Sequence, residues 1–101
     1  MRSAWFVEGA AQWLSGQTRH VRPAVARRLR EGSPPAFPPG RADALLLGGT
    51  VFDLIAREGG DRTAVAAARE GPERVLAAFG RRSARHTEAA WRSHLARLAA
   101  P

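Results

Sequence analysis

The chain has 101 residues, so it is one small domain or part of a larger one. It contains no cysteine, which excludes disulfides, cysteine zinc sites and thiol nucleophiles within it. Apolar residues make up 45% of it, enough for a core, but no apolar run is suited to crossing a bilayer or to a signal peptide. The net charge is +7, with 16 basic residues, all arginine, interspersed among 9 acidic ones, a pattern that argues against specific nucleic-acid recognition.

The first predicted helix covers residues 3–15. Ser3 is a suitable N-cap for it. On a helical wheel, a narrow polar stripe of Glu8, Gln12 and Ser15 interrupts a surface that is otherwise mostly apolar. We therefore expect this helix to be covered by other elements on several sides.

A second helix and a proline-rich loop follow. The helix is predicted over residues 21–30, with Pro23 in its first turn, where the missing N–H is harmless. Residues 33–40 contain four prolines, which exclude a helix and predict an extended loop. This loop is too short to separate two domains.

The third predicted helix, residues 41–58, is the most apolar and carries hydrophobic side chains around its whole circumference. This pattern predicts a buried, central helix. Gly48 and Gly49 interrupt it, and glycine inside a helix costs about 1 kcal/mol against alanine. We expect another backbone to pack closely at these two positions.

Three more helices are predicted in the C-terminal part of the chain. One covers residues 61–70 and is capped by Asp61, and the next begins at Pro72 and carries Val75, Leu76 and Phe79 in its apolar pattern. The last begins at Ser83 and contributes apolar residues at helical spacing. No segment alternates like a strand. The sequence predicts an all-α fold of five to six short helices around the apolar helix 41–58.

The histidines do not form a recognisable metal motif. His20, His86 and His94 lack the spacing of metal ligands, and the chain contains no His-Glu-x-x-His, phosphate-binding glycine loop or Gly-x-Ser-x-Gly elbow. Taken singly, each histidine is interpreted as a surface or half-buried residue. Tryptophans 5, 13 and 91 are interpreted as core residues.

The segment Ala-Trp-Phe-Val-Glu-Gly-Ala-Ala-Gln-Trp-Leu, residues 4–14, resembles the Trp-x-x-Glu-Gly-x-Ala segment of gluzincin zinc metallopeptidases, the peptidase MA-like families and larger aminopeptidases. In those proteins a preceding helix carries His-Glu-x-x-His, and the glutamate of this segment is the third zinc ligand. Zinc then takes two imidazoles and one carboxylate and keeps a fourth position for water. The resemblance implies that Glu8 is a zinc ligand.

Downstream segments resemble the same family in order and spacing. They are residues 44–60, similar to the family's central helix; residues 71–80, similar to the short helix that follows; and residues 91–95, similar to the closing helix with its core tryptophan. The resemblance covers nearly the whole chain. It implies a single domain over residues 1–101 that corresponds to the C-terminal helical half of a zincin-like domain.

Two departures from the family pattern affect the expected function. The chain has no His-Glu-x-x-His, and it has no tyrosine, so the tyrosine often found near the start of the central helix is absent. We therefore expect a metallopeptidase-like fragment that is not catalytic alone. Zinc would be bound only together with an upstream segment bearing His-Glu-x-x-His.

Two alternatives remain open at this point. Glu8 can be an ordinary surface glutamate that the helix dipole favours in the first turn. The whole chain can equally be a small basic helical interaction module that binds an acidic partner through its arginines. The compartment is not specified by these residues.

Overall fold

A computed structural model describes residues 3–80 and 83–100 of the chain. Within these residues the chain forms six α-helices and one 3₁₀ turn, and no strand. The elements are α1 (Ala4–Leu14), the 3₁₀ turn (Thr18–Val21), α2 (Arg22–Arg30), α3 (Ala44–Gly59), α4 (Asp61–Glu70), α5 (Pro72–Ala77) and α6 (Ala84–Ala99). The predicted all-α fold is confirmed, and its radius of gyration, 12.3 Å, is that of a compact chain of this length.

The apolar helix α3 lies at the centre of the fold. It packs against α1, α2, α4 and α6, as its apolar surface predicts. Its side chains Leu47, Val51 and Phe52 are fully buried. The first turn of α3 is an exception, because Leu45 is 65% exposed, whereas Gly49 and Phe52 on the same side of the helix are buried. The prediction of a central, buried helix is therefore confirmed, with Leu45 as an exposed exception.

Helix α3 begins at Ala44, later than the predicted start at residue 41. Residues 41–43 form a turn, and Asp43 is the N-cap residue without a capping side-chain hydrogen bond. Its carboxylate instead accepts hydrogen bonds from Nε and Nη2 of Arg28, at 2.8 and 3.1 Å. These bonds, with the charge of Asp43, raise the pKa of Arg28 despite the opposing effect of burial.

The C-terminal helices follow the prediction with two corrections. Gly60 rather than Asp61 is the N-cap of α4, and Asp61 is its first helical residue. Leu76, which belongs to the predicted apolar pattern of α5, is 42% exposed, because this short helix buries only one side. Ser83 caps α6 as expected, since its hydroxyl accepts a hydrogen bond from the backbone N–H of His86 at 3.2 Å.

Close backbone contact joins α1 to α3. A Cβ placed on Gly48 would lie 2.9 Å from Cα of Gly9, so neither position has room for a side chain. This confirms the expected backbone contact at Gly48. At Gly49 the expectation is wrong, because the neighbouring atoms there belong to the side chains of Gln12 and Thr18. The contact between Gly9 and Gly48 therefore lets the backbones of α1 and α3 pack directly against each other.

The proline-rich loop, residues 33–40, is extended as predicted and packs against α6. Arg92 of α6 donates hydrogen bonds from Nε and Nη2 to the carbonyl oxygen of Pro35, at 3.2 and 2.9 Å. The ring of Phe37 lies 5.3 Å from that of Trp91, between centroids. The loop is therefore part of the core packing and not a linker. Among the described residues, no helix is both long and apolar enough to span a membrane.

Candidate functional site

Glu8 lies on the exposed side of α1. It is the fifth residue of the helix, so it falls outside the first turn, where the helix dipole favours a carboxylate most strongly. Its carboxylate forms no hydrogen bond or ion pair with any residue of the ranges 3–80 and 83–100. The interpretation of Glu8 as a dipole-stabilising residue is therefore weakened.

The polar stripe predicted on α1 does not form one continuous surface. Ser15 is exposed and donates a hydrogen bond to the carbonyl oxygen of Gln12 at 3.1 Å. The Gln12 side chain turns inward, where its Oε1 lies against Gly49 together with Oγ1 of Thr18. Neither oxygen has a hydrogen-bond partner within the described residues. Only Glu8 and Ser15 face outward.

Apolar side chains accompany Glu8 on the outer face of α1. Val7 is 50% exposed and Leu14 is 57% exposed, and the exposed residues Ala4 and Ala11 lie on the same side. These positions recur at helical spacing and form one stripe. We call this surface the outer face of α1. The expectation that α1 is covered on several sides is met where it packs on α3 and contacts α4, but it is wrong for the outer face.

The described residues do not form a metal site around Glu8. No group of three or more histidine, cysteine, aspartate or glutamate side chains converges anywhere in residues 3–80 and 83–100. One carboxylate does not fix a zinc ion in an open tetrahedral site. The residues present therefore do not fit zinc by themselves.

His94 and Asp53 form a hydrogen-bonded pair that the sequence analysis missed. His94 of α6 is 97% buried, since its relative exposure is 3%, and its Nε2 lies 2.7 Å from Oδ2 of Asp53 on α3. On the other side of the ring, Nδ1 lies 3.3 Å from Nη2 of Arg97. His20 and His86 lie elsewhere and are exposed.

His94 links α3 to α6 through both ring nitrogens. Nε2 contacts the carboxylate of Asp53 on α3, and Nδ1 contacts the guanidinium of Arg97 on α6, which can only donate hydrogen bonds. The ring therefore lies between an anion on one helix and a cation on the other.

This pair lies in an open cleft of about 400 Å³ between the helices. Arginine side chains contribute much of its wall: the cleft is lined by Arg22, Asp53, Ala56, Arg57, Asp61, His94, Arg97 and Leu98. These residues come from α2, α3, α4 and α6. We call it the arginine cleft. Glu8 is not among its residues.

A signal for this site exists in the sequence. Asp53 is the single acidic residue in the otherwise apolar stretch 44–55, and His94 shares a helical stripe with the core residues Trp91 and Leu95. Each position places a titratable side chain on a buried face, where it requires a partner. The pairing of His94 with Asp53 is not apparent when each histidine is considered alone. No family model, curated protein or solved structure matches the chain.

Proposed function

We propose that the chain is the helical half of a gluzincin-like zinc metallopeptidase domain and carries the third zinc ligand, Glu8. In this proposal it has no peptidase activity alone. It requires a segment bearing His-Glu-x-x-His, which packs on the outer face of α1. The proposal rests on the resemblance of residues 4–14 and of the downstream segments to that family.

The observation that carries the proposal is the setting of Glu8. The Glu8 carboxylate, which has no partner within residues 3–80 and 83–100, lies beside the half-exposed side chains Val7 and Leu14 on one face of α1. Exposed apolar side chains grouped on one helix face are typical of a surface that another element covers. A helix placed there would bring its own side chains close to the Glu8 carboxylate.

The close packing of α1 on the central helix supports a role in positioning a ligand. Gly9 directly follows Glu8, and its contact with Gly48 seats α1 closely on the central helix. Trp5 and Phe6, just before Glu8, are buried and anchor the same turn of α1. A ligand side chain is held best when the backbone under it is fixed by packing.

The chemistry assigned to this chain is limited. Zinc, when bound, would activate a water molecule for attack on a carbonyl carbon. This chain would supply one carboxylate oxygen donor and the backbone that orients it. His94 does not supply an imidazole ligand in this structure, because its ring is buried and both ring nitrogens are engaged by Asp53 and Arg97.

A second candidate function is a helical interaction module that binds an acidic partner through arginines. The arginine cleft favours this alternative, because Arg22, Arg57 and Arg97 converge there from three helices. The two candidates use different surfaces of the molecule. They are therefore distinguished by whether substitutions at Glu8 or substitutions in the cleft abolish binding of the partner.

The reading frame upstream of Met1 provides the first test. An in-frame His-Glu-x-x-His there would support the metallopeptidase proposal, because it supplies the two histidine ligands and the general base that the chain lacks. An upstream frame that is closed by a stop codon, with no neighbouring gene that encodes the motif, would contradict it and favour the interaction module.

A further inference from the structure

Three arginines from different helices line the arginine cleft, and none of them has a carboxylate partner among the described residues. Arg22, Arg57 and Arg97 form no ion pair with a described residue. By contrast, Arg28 on α2 and Arg92 on α6 are each paired with a carboxylate. Like charges brought together repel each other, so this convergence costs free energy unless an anion offsets it.

Two of the three guanidinium groups are already oriented by hydrogen bonds. Arg22 donates from Nε to the carbonyl oxygen of Leu98 at 2.9 Å, which leaves its two Nη groups without a described partner. Arg97 donates from Nη2 to His94, which leaves Nη1 and Nε. Arg57 has no hydrogen bond to any described residue. The cleft therefore presents several N–H donors that have no described partner. Two of the three side chains, Arg22 and Arg97, already have reduced conformational freedom because they are hydrogen-bonded.

The carboxylates of the cleft do not cancel these charges. Asp53 accepts the hydrogen bond of His94, and Asp61 is exposed without an ion pair among the described residues. Even without counting His94, three arginines stand against two aspartates, which leaves a net charge of +1 among these five residues. The volume, about 400 Å³, falls within the range of small-ligand sites.

We propose that the arginine cleft binds an oxyanion, either a phosphate or a carboxylate group, between Arg57 and Arg97, with Arg22 as a further donor. Guanidinium groups match both anions, because their planar N–H pairs can bond two oxygens at once. The site is independent of zinc and of Glu8. The anion occupies the space in which the three positive charges would otherwise repel each other.

The ¹H–¹⁵N signals of the His94 ring and of the arginine Nε groups are followed by NMR while sodium phosphate is added at constant ionic strength and pH. A second titration uses sodium acetate. The proposal predicts saturable shifts at His94 and Arg97, which report on the cleft directly. Saturation by phosphate alone indicates a phosphoryl ligand, and saturation by acetate alone indicates a carboxylate ligand. Saturation by both anions supports an oxyanion site that accepts either group.

Variants make the test specific. Arg57→Gln and Arg97→Gln should each weaken phosphate or acetate binding about tenfold, the loss expected for one charged hydrogen-bonding partner. Both residues are exposed, so these variants should remain folded, which the backbone spectrum verifies. The matched control is Arg30→Gln at the other end of α2, outside the cleft, and its affinity should change by less than about twofold. Linear, non-saturable shifts, or an equal loss in all three variants, would overturn the proposal.

Discussion

The indole Nε1–H of Trp91 donates a hydrogen bond to Oγ1 of Thr50 at 2.9 Å, and both residues are fully buried. The Thr50 hydroxyl in turn donates to the carbonyl oxygen of Leu47. Both polar groups are thus satisfied inside the core, where an unpaired group would be costly. The bond joins α6 to the central helix and fixes how the two helices align.

Removing the acceptor should destabilise the fold. Thr50→Val keeps the shape of the side chain but leaves the Trp91 N–H buried without a partner, so we expect a loss of about 1–3 kcal/mol in the free energy of unfolding. Urea unfolding followed by tryptophan fluorescence measures it. Thr50→Ser, which keeps the hydroxyl, is the control and should lose less than Thr50→Val. A Thr50→Val protein as stable as the wild type would contradict the role of this bond.

The glycine contact between α1 and α3 gives a second prediction. Gly48→Ala places a methyl group against the backbone of α1, so we expect a loss of about 1–3 kcal/mol from overpacking. Gly59→Ala in the same helix is the control, because its new Cβ would meet Thr63 only at an ordinary 3.5 Å. Thermal unfolding compares the two. Equal stability of the two variants would show that α1 and α3 are not in close contact.

The ion pairs of α2 differ in exposure, and we expect their contributions to differ accordingly. The side chains of Arg28 and Asp43 are only 23% and 17% exposed, whereas those of Arg27 and Glu31 are 72% and 66% exposed. Arg28→Gln should therefore cost about 1–3 kcal/mol, and Arg27→Gln less than about 1 kcal/mol. Urea unfolding of both variants checks this, and an equal cost would contradict it.

The stabilisation that the Arg28–Asp43 pair provides should not change with pH in the neutral range. The pKa of Arg28 is raised in the folded state, so the stability from its charge is complete below the pKa of an unfolded arginine and is lost only as pH rises through the folded value. The cost of Arg28→Gln should therefore be the same at about pH 6 and about pH 9, since arginine stays protonated at both. Unfolding curves at these two pH values test this; a cost that falls between them would contradict it.

The helices could be predicted from the sequence because their signals are local. Glycines and prolines mark the ends of α4 and α5, and apolar periodicity identifies α3 as central. The start of α3 could not be predicted. Asp43, the residue before it, does not cap the helix with its side chain, because its carboxylate bonds to Arg28, 15 residues away in the sequence.

The candidate sites could be predicted only in part. Glu8 was found because a short local pattern surrounds it, and its exposure then became visible in the structure. The pairing of Asp53 with His94 spans 41 residues, and only the packing of α6 on α3 brings the two together. The arginine cleft depends in the same way on the relative placement of several helices, which periodicity along one helix does not determine.

Nucleic-acid binding should be weak and independent of sequence. The net charge of +7 attracts phosphate backbones, but base recognition requires side chains aimed at base edges or aromatic platforms for stacking. Trp5, Phe52 and Trp91 are buried in the core and cannot stack on bases. Titration of several DNA and RNA sequences at low and physiological salt measures this. Tight, sequence-selective binding that survives physiological salt would favour the interaction module over the metallopeptidase proposal.

Zinc affinity of the chain joined to the segment encoded directly upstream of Met1 tests the central claim most directly. Calorimetry should show one tightly bound zinc ion in the joined polypeptide and none in the 101-residue chain alone, which should also cleave no protein substrate. Glu8→Gln should weaken zinc binding in the joined polypeptide at least about tenfold, whereas Glu31→Gln, at another exposed glutamate, should leave it unchanged. Zinc binding that is absent from the joined polypeptide, or that is unaffected by Glu8→Gln, would contradict the assignment of Glu8 as the third ligand.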